Sequence, residues 1–316
     1  MLLILTVTLP LFVLILAGYL SAWRGLIDRP GIKGINGFVF YFALPLTLFH
    51  AMATAPLARA FDARFVLTYL ACAVAVHLTG MAIARWVFRR SIGEQGIQGI
   101  AASFGNLVFI ALPIATALFG SAASLPLALL VTIENGIVMP FTVSLLEIDK
   151  GAKGNLRHAV WAAVQAILRN PVVMSVLTGA VVGLLEAPLP ALFNGLVLVV
   201  SGATVPCALF ALGATLAGLP VSERLRETGT MVALKLFAYP LLVFGAMSLF
   251  PDIDPMWRAV AVLSAAMPMG ANVYLVAARY ETHVARASTA VLFSTMISVV
   301  TVSLLAVVLA ENNAPW

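Results

Sequence analysis

The sequence predicts an all-α polytopic membrane protein of ten transmembrane helices arranged as two inverted five-helix repeats. Three observations carry this reading. Of 316 residues, 62% are hydrophobic and only 10% are charged, a balance outside that of soluble globular domains. Apolar runs near the length a helix needs to cross a bilayer recur ten times: 2–22, 31–51, 63–87, 97–118, 122–146, 171–186, 190–217, 229–250, 257–279 and 285–310. The second half of the chain also repeats elements of the first, in order, at an offset of roughly 160 residues.

Segment 1, opening MLLILTVTLPLFVLILAGYL, has no basic n-region and no obvious cleavage site, so it reads as a span and not as a removable signal peptide. The first cation, Arg24, follows it, which favours an external N-terminus. The other loops agree. Those after segments 1, 3, 5, 7 and 9 hold Arg24, Arg29, Lys33, Arg85, Arg89, Arg90, Lys150, Lys153, Arg157, Arg169, Arg224, Arg226, Arg279 and Arg286. Those after segments 2, 4, 6 and 8 hold only Arg59, Arg64 and Arg258. Because cytoplasmic loops carry the excess of Lys and Arg, both termini are expected outside. The net charge of +5 then belongs to the cytoplasmic loops and gives no argument for nucleic-acid binding. Trp23, Trp86, Trp161, Trp257 and Trp316 fall near segment ends, as an interfacial belt does. Cys72 and Cys207 lie inside apolar segments and read as packing residues, with no metal or disulfide spacing.

Segment 2 contains INGFVFYFALPLTLF (35–49) and segment 7 contains FNGLVLVVSGATVPCALF (193–210); GNLVF (105–109) in segment 4 compares with ANVYL (271–275) in segment 9. Five spans per half is an odd number, so the second half enters the membrane from the opposite side, the inverted repeat of secondary transporters. The expected division is a first repeat over 1–148, a linker over 149–170 and a second repeat over 171–316. The stretch 156–170, LRHAVWAAVQAILRN, is amphipathic and suits the membrane surface.

Segments 4 and 9 carry the expected site. Segment 4 holds Gly105, Asn106 and Pro113; segment 9 holds Pro268, Gly270 and Asn272. Helix breakers and amides at matching depth point to a binding site, against the plainer reading of two unrelated kinks. Unwinding frees amide N–H groups and exposes the positive end of a half-helix, which suit a carboxylate, and an asparagine donates or accepts without adding charge. Glu134 in segment 5 and Lys235 in segment 8 lie deep in apolar sequence, where ionisable groups are costly. Glu134 carrying a coupling proton and Lys235 attracting an anion is one reading. A structural ion pair, or Lys235 snorkelling to the surface, is the other. His77 in segment 3 suits either ion coupling or a hydrogen-bonded packing role. Asn135 would face a different side of the helix from Glu134 and is assigned no role.

FGNLVFIALPIATALFG (104–120), RNPVVMSVLTGAVVGLLEAPLP (169–190), VPCALFALGATLAG (205–218) and AAMPMGANVYLVAARYETHVARASTAVLFST (265–295) closely resemble the auxin efflux carrier family, part of the larger group with bile-acid sodium symporters. The resemblance runs nearly end to end. It implies ten helices in two inverted repeats, with helices 4 and 9 broken and crossing at the substrate site. It further implies a scaffold of helices 1, 2, 6 and 7 that dimerises, here through helices 2 and 7, while the other six move as an elevator. The regulatory loop between helices 5 and 6 of plant members is short here, which points to a bacterial member in the inner membrane. The opening residues and FALPLTLFHAM (42–52) are most similar to the malonate-carrier branch. Asn106 and Pro113 match the family's substrate segment, Pro268 its second break, and Asn272 matches more loosely.

The expected function is thus secondary transport of small organic anions such as malonate, with a proton or sodium as possible coupling ion and no cofactor or metal. An aromatic monocarboxylate exporter, a sodium-coupled symporter and, further off, an anion channel are the alternatives. A membrane enzyme is disfavoured because no metal cluster, Gly-x-Ser-x-Gly or phosphate loop occurs. A retinal-type photoreceptor would use a deep lysine, but ten spans and an inverted repeat argue against it.

Overall fold

In hydrocarbon every backbone N–H and C=O needs an internal partner, which leaves helices as the form for uninterrupted apolar runs. The computed structural model describes residues 2–55, 62–150, 161, 164–165, 167–219 and 225–311. The described residues form helices, and the single β-bridge among them joins Gly105 to Met269. The linker 149–170 and its amphipathic stretch lie for the most part outside the described residues, as does Trp316.

In chain order, α1 is Leu2–Trp23, α2 Arg29–Phe38, α3 Leu44–Ala53, α4 Ala63–Trp86 and α5 Ile92–Ser103. Then come α6 Leu112–Phe119, α7 Ser124–Ile133, α8 Met139–Asp149, α9 Pro171–Leu184 and α10 Ala191–Leu216. The last five are α11 Leu225–Ala233, α12 Tyr239–Ser248, α13 Pro255–Ala266, α14 Ala271–Arg279 and α15 Val284–Glu311. Among the described residues, six continuous stretches are long and apolar enough to cross a membrane: Arg29–Ala53, Ala63–Trp86, Ser121–Asp149, Ala191–Leu216, Leu225–Ser248 and Val284–Leu309. Leu9–Trp23, Leu107–Phe119 and Pro171–Leu184 are shorter apolar helices. Segments 4 and 9 fall short of the spanning length because each is interrupted, between α5 and α6 and between α13 and α14.

Side chains close the helix starts. Asp28 accepts from the Gly31 N–H, Asp62 from Arg64, Asn170 from Val172 and Val173, and Asp254 from Met256 and Trp257. Ser91 and Glu94 form a reciprocal capping box at α5. Four helices carry a π turn that ends on the residue two before a proline. The N–H groups of Leu44, Leu112, Met139 and Tyr239 reach back five residues, to Val39, Leu107, Glu134 and Leu234. A proline lacks its N–H and its ring collides with the carbonyl four residues earlier. The extra residue of a π turn accommodates Pro45, Pro113, Pro140 and Pro240 while the helix continues.

Two packing pairs frame one side of the molecule, α1 along α10 and α3 along α9. Their approach is set by glycine. A Cβ on Gly18 would overlap the Phe210 carbonyl, and one on Gly213 the Ile15 carbonyl, while one on Gly179 would lie 2.5 Å from the Phe49 carbonyl. Elsewhere α4 packs on α5, α5 on α8, α12 on α13 and α14 on α15. Large apolar side chains such as Leu192, Leu198, Val199 and Leu304 are exposed on the outer surface, as suits a lipid-facing protein. The interior instead holds buried polar groups, among them Glu134 and Lys235.

Candidate functional site

Both interruptions meet in one place. Segment 4 unwinds at Phe104–Asn106 and segment 9 at Met267–Gly270, and the two extended stretches lie antiparallel, Gly105 opposite Met269. The Asn106 N–H donates to the Pro268 carbonyl at 2.8 Å, and the Gly270 N–H donates to the Phe104 carbonyl at 3.3 Å. Glycines allow the close approach: a Cβ on Gly105 would stand 3.2 Å from the Ser264 carbonyl and 3.3 Å from Lys235 Nζ, and one on Gly270 would stand 3.0 Å from the Gly105 carbonyl.

The N–H groups of the two bridging residues are held by neighbouring helices. Gly105 donates to Glu134 Oε2 at 2.9 Å, and Met269 donates to Ser294 Oγ at 3.1 Å. Tyr69 O–H donates to the other Glu134 oxygen at 3.1 Å. Lys235 Nζ donates to the Ala265 carbonyl at 2.6 Å, at the end of α13, and lies 4.7 Å from the Tyr239 ring centre. Glu134 and Lys235 are both buried, so Lys235 does not snorkel. No ion pair joins them among the described residues. Each instead grips the backbone of one break, the carboxylate an N–H and the ammonium a carbonyl.

Beyond the bridge both chains turn helical again, and both new helix starts face one cleft, lined by Asn106, Leu107, Val108, Gly270, Ala271 and Asn272 together with Phe40 and Glu134. The first N–H groups of a helix have no intrahelical acceptor. At α14 the cap position is Gly270, with no side chain to supply one. At segment 4 Asn106 Oδ1 accepts from the Phe109 N–H at 3.3 Å. That bond aims the amide, and Asn106 Nδ2 is left buried without a partner, the residue being 2% exposed. Two helix starts and one orphan amide donor thus face the same space, an arrangement that attracts an anion. The cleft holds about 410 Å³ of space.

The cleft shares Phe40, Asn135 and Asn272 with a vestibule of about 1640 Å³. Arg169, Asn170, Arg279 and Tyr280 help line it. Tyr280 O–H donates to Glu147 at 2.6 Å. Burial, then the Glu147 carboxylate, pushes the Tyr280 phenol up to about 12, so it remains a donor at physiological pH.

The expected site residues divide. Gly105, Asn106, Gly270, Asn272 and Glu134 line the cleft, Pro268 supplies a bridging carbonyl, and Lys235 stands behind the break. Pro113 does not make the interruption: it lies in the first turn of α6, after the π turn Leu107–Ala111. His77 bonds Ser103 Oγ at 3.0 Å and packs against Phe141, away from the cleft lining. Asn135, assigned no role by helical phasing, lines both cleft and vestibule. The π turn Glu134–Val138 changes the phase, and Asn135 Oδ1 accepts from Asn170 Nδ2 at 3.4 Å. Tyr69 and Asn170 also escaped the sequence. RNP before segment 6 was the available signal for Asn170.

Comparison with known proteins decides the family. The family described as "Membrane transport protein" matches residues 3–306. The chain belongs to this family, that of the auxin efflux carriers. It is a transport protein and not an enzyme. It is 32% identical over 311 residues to a "Putative malonate transporter" of Rhizobium meliloti (strain 1021), covering 97% of this chain and 96% of the relative. It is 25% identical over 299 residues to "Uncharacterized transporter YfdV" of Escherichia coli (strain K12), 94% of each. A third relative, "Probable auxin efflux carrier component 5a" of Oryza sativa subsp. japonica, is 24% identical over 348 residues, 92% of each. The family membership accounts for a multi-pass chain with a buried polar cleft.

Proposed function

We propose that the chain is a secondary transporter of small organic anions, short carboxylates of the malonate type, which bind where segments 4 and 9 cross. The observation that carries this is the pair of helix starts facing one cleft with the unpartnered Asn106 Nδ2 between them. A carboxylate offers the acceptors that these donors lack. The name of the Rhizobium relative points to a short acid.

In this reading residues 1–148 and 171–316 are inverted repeats of five spans, and both termini lie outside the inner membrane. The vestibule then opens to the cytoplasm, because Arg169 and Arg279 stand on the Lys- and Arg-rich side. Segments 1, 2, 6 and 7 form the scaffold, dimeric through the exposed faces of segments 2 and 7, where Phe42 and Leu196 lie bare. Segments 3–5 and 8–10 move past it as one body and carry the cleft to the other side. Glu134 takes the coupling proton. Its bond to the Gly105 N–H makes the shape of the break sensitive to its charge.

The test is malonate counterflow with purified protein in liposomes, with and without pH and sodium gradients and with succinate, pyruvate and indole-3-acetate as competitors. The reading predicts saturable counterflow inhibited best by short acids. Flux that rises linearly with concentration would identify a pore and refute it.

A further inference from the structure

We propose that Arg169 and Arg279 form an outer anion subsite in the vestibule that selects short dicarboxylates over monocarboxylates. The proposal rests on the carboxylate-transport reading above and names the substrate class within it. The crossing supplies donors for one carboxylate and no free cation for a second. Its one ammonium, Lys235, is spent on the Ala265 carbonyl and faces the Glu134 charge across the break. Asn106, Asn135 and Asn272 are neutral. A diacid therefore leaves one carboxylate to be met elsewhere along the path.

The vestibule supplies what the crossing lacks. Arg169 reaches it from the chain just before α9, and Arg279 from the last turn of α14, so the two guanidiniums come from different walls. Both residues are exposed, and neither guanidinium forms a hydrogen bond or ion pair with a described residue. Arg279 touches only the Tyr280 ring, 5.9 Å from its centre. The carboxylate on the same wall, Glu147, accepts from the Tyr280 hydroxyl through Oε1 and keeps its charge, so two guanidiniums face one negative group, and Lys150 Nζ lies 5.4 Å over that ring. Arg279 follows Asn272 by two helical turns, about 10 Å along the same face. Helical side chains lean toward the N-terminus, here toward the crossing. A dianion held first by the guanidiniums would then pass to the amides with one carboxylate leading. Arginine suits this because its planar fork matches a carboxylate, which a lysine ammonium does not.

Two arginines at this end also serve the membrane orientation of the chain, so the test must hold charge constant in one arm. Initial rates from the vestibule side would be measured in liposomes for malonate, succinate and pyruvate, with the wild type, Arg169→Gln/Arg279→Gln and Arg169→Lys/Arg279→Lys. Loss of two focusing charges is expected to raise KM for both dicarboxylates about tenfold, with maximal rate kept and pyruvate KM moved less than about twofold. The lysine pair should fall between, and added salt should raise the dicarboxylate KM in the wild type and the lysine pair but not in the glutamine pair. An equal shift for mono- and dicarboxylates, or none, would overturn the subsite and leave the transport reading intact. If the glutamine pair fails to insert, the lysine pair decides: wild-type KM values for all three acids refute the proposal. A wild type without saturable carboxylate transport would overturn both readings together.

Discussion

Asn106 joins three functions in one residue. Its N–H ties the two breaks together, its Oδ1 holds the next turn, and its Nδ2 is left facing the cleft. Asn106→Ala should therefore weaken carboxylate binding by about 1.5–3 kcal/mol, the worth of a hydrogen bond to a charged group, or roughly ten- to a hundredfold, as read by equilibrium binding. Glu134 is a different kind of residue, because its carboxylate holds the Gly105 N–H and the Tyr69 hydroxyl. Glu134→Gln keeps the shape and removes the titration. Transport by that variant should no longer respond to a pH gradient, and an unchanged response would remove Glu134 from coupling. At this scale Gly105, Asn106 and Asn272 were legible, since amides and glycine stand out in apolar sequence. Asn135 was not. Regular 3.6-residue phasing turns it away from Glu134, and the π turn Glu134–Val138, for which Pro140 was the available signal, lies where both residues line the same cleft.

At the scale of elements, the breaks and the glycine seams do the positioning. Both interruptions were legible as paired breakers, but segment 4 opens at Phe104–Asn106 and not at Pro113. Pro113 lies inside the continuous helix Leu107–Phe119, where the π turn Leu107–Ala111 absorbs its missing N–H and the helix goes on. Sequence alone does not say whether a proline ends one helix or begins the next. The glycine seams were not foreseen, since a glycine in an apolar run has no signature of what it touches. Gly213 faces the Ile15 carbonyl so closely that a side chain there must part α1 from α10. Gly213→Val should thus abolish recovery of monodisperse protein from detergent, whereas Gly195→Ala, in the same helix with open space around it, should not. A second anchor lies at the ends of α4, α11 and α15. There Glu227 accepts from Arg90 at 2.8 Å and from Arg286 at 2.9 Å, and His283 sits between Glu227 and Glu94. Glu227→Ala would leave the Arg90 guanidinium without its carboxylate and Arg286 with Glu94 at 3.8 Å, and should lower stability by about 3–5 kcal/mol, read as a fall in melting temperature.

For the whole molecule, the account predicts sidedness. The cleft adjoins a vestibule on the side of Arg169 and Arg279, which the proposed orientation places in the cytoplasm. In a Cys72→Ser/Cys207→Ser background, Val276→Cys in the vestibule wall should react with a membrane-impermeant maleimide in inverted vesicles. It should be spared in right-side-out ones, and malonate should slow the reaction. Labelling from the opposite side would reverse the assigned orientation.

The central claim is that a carboxylate sits among the helix starts beside Asn106, and binding of radiolabelled malonate to purified wild type and Asn106→Asp tests it most directly. The substitution keeps size and exchanges a donor for a negative charge. The account predicts saturable binding by the wild type and at least tenfold weaker binding by the variant, with both proteins monodisperse. Equal affinity in the two proteins would place the carboxylate elsewhere and contradict the account.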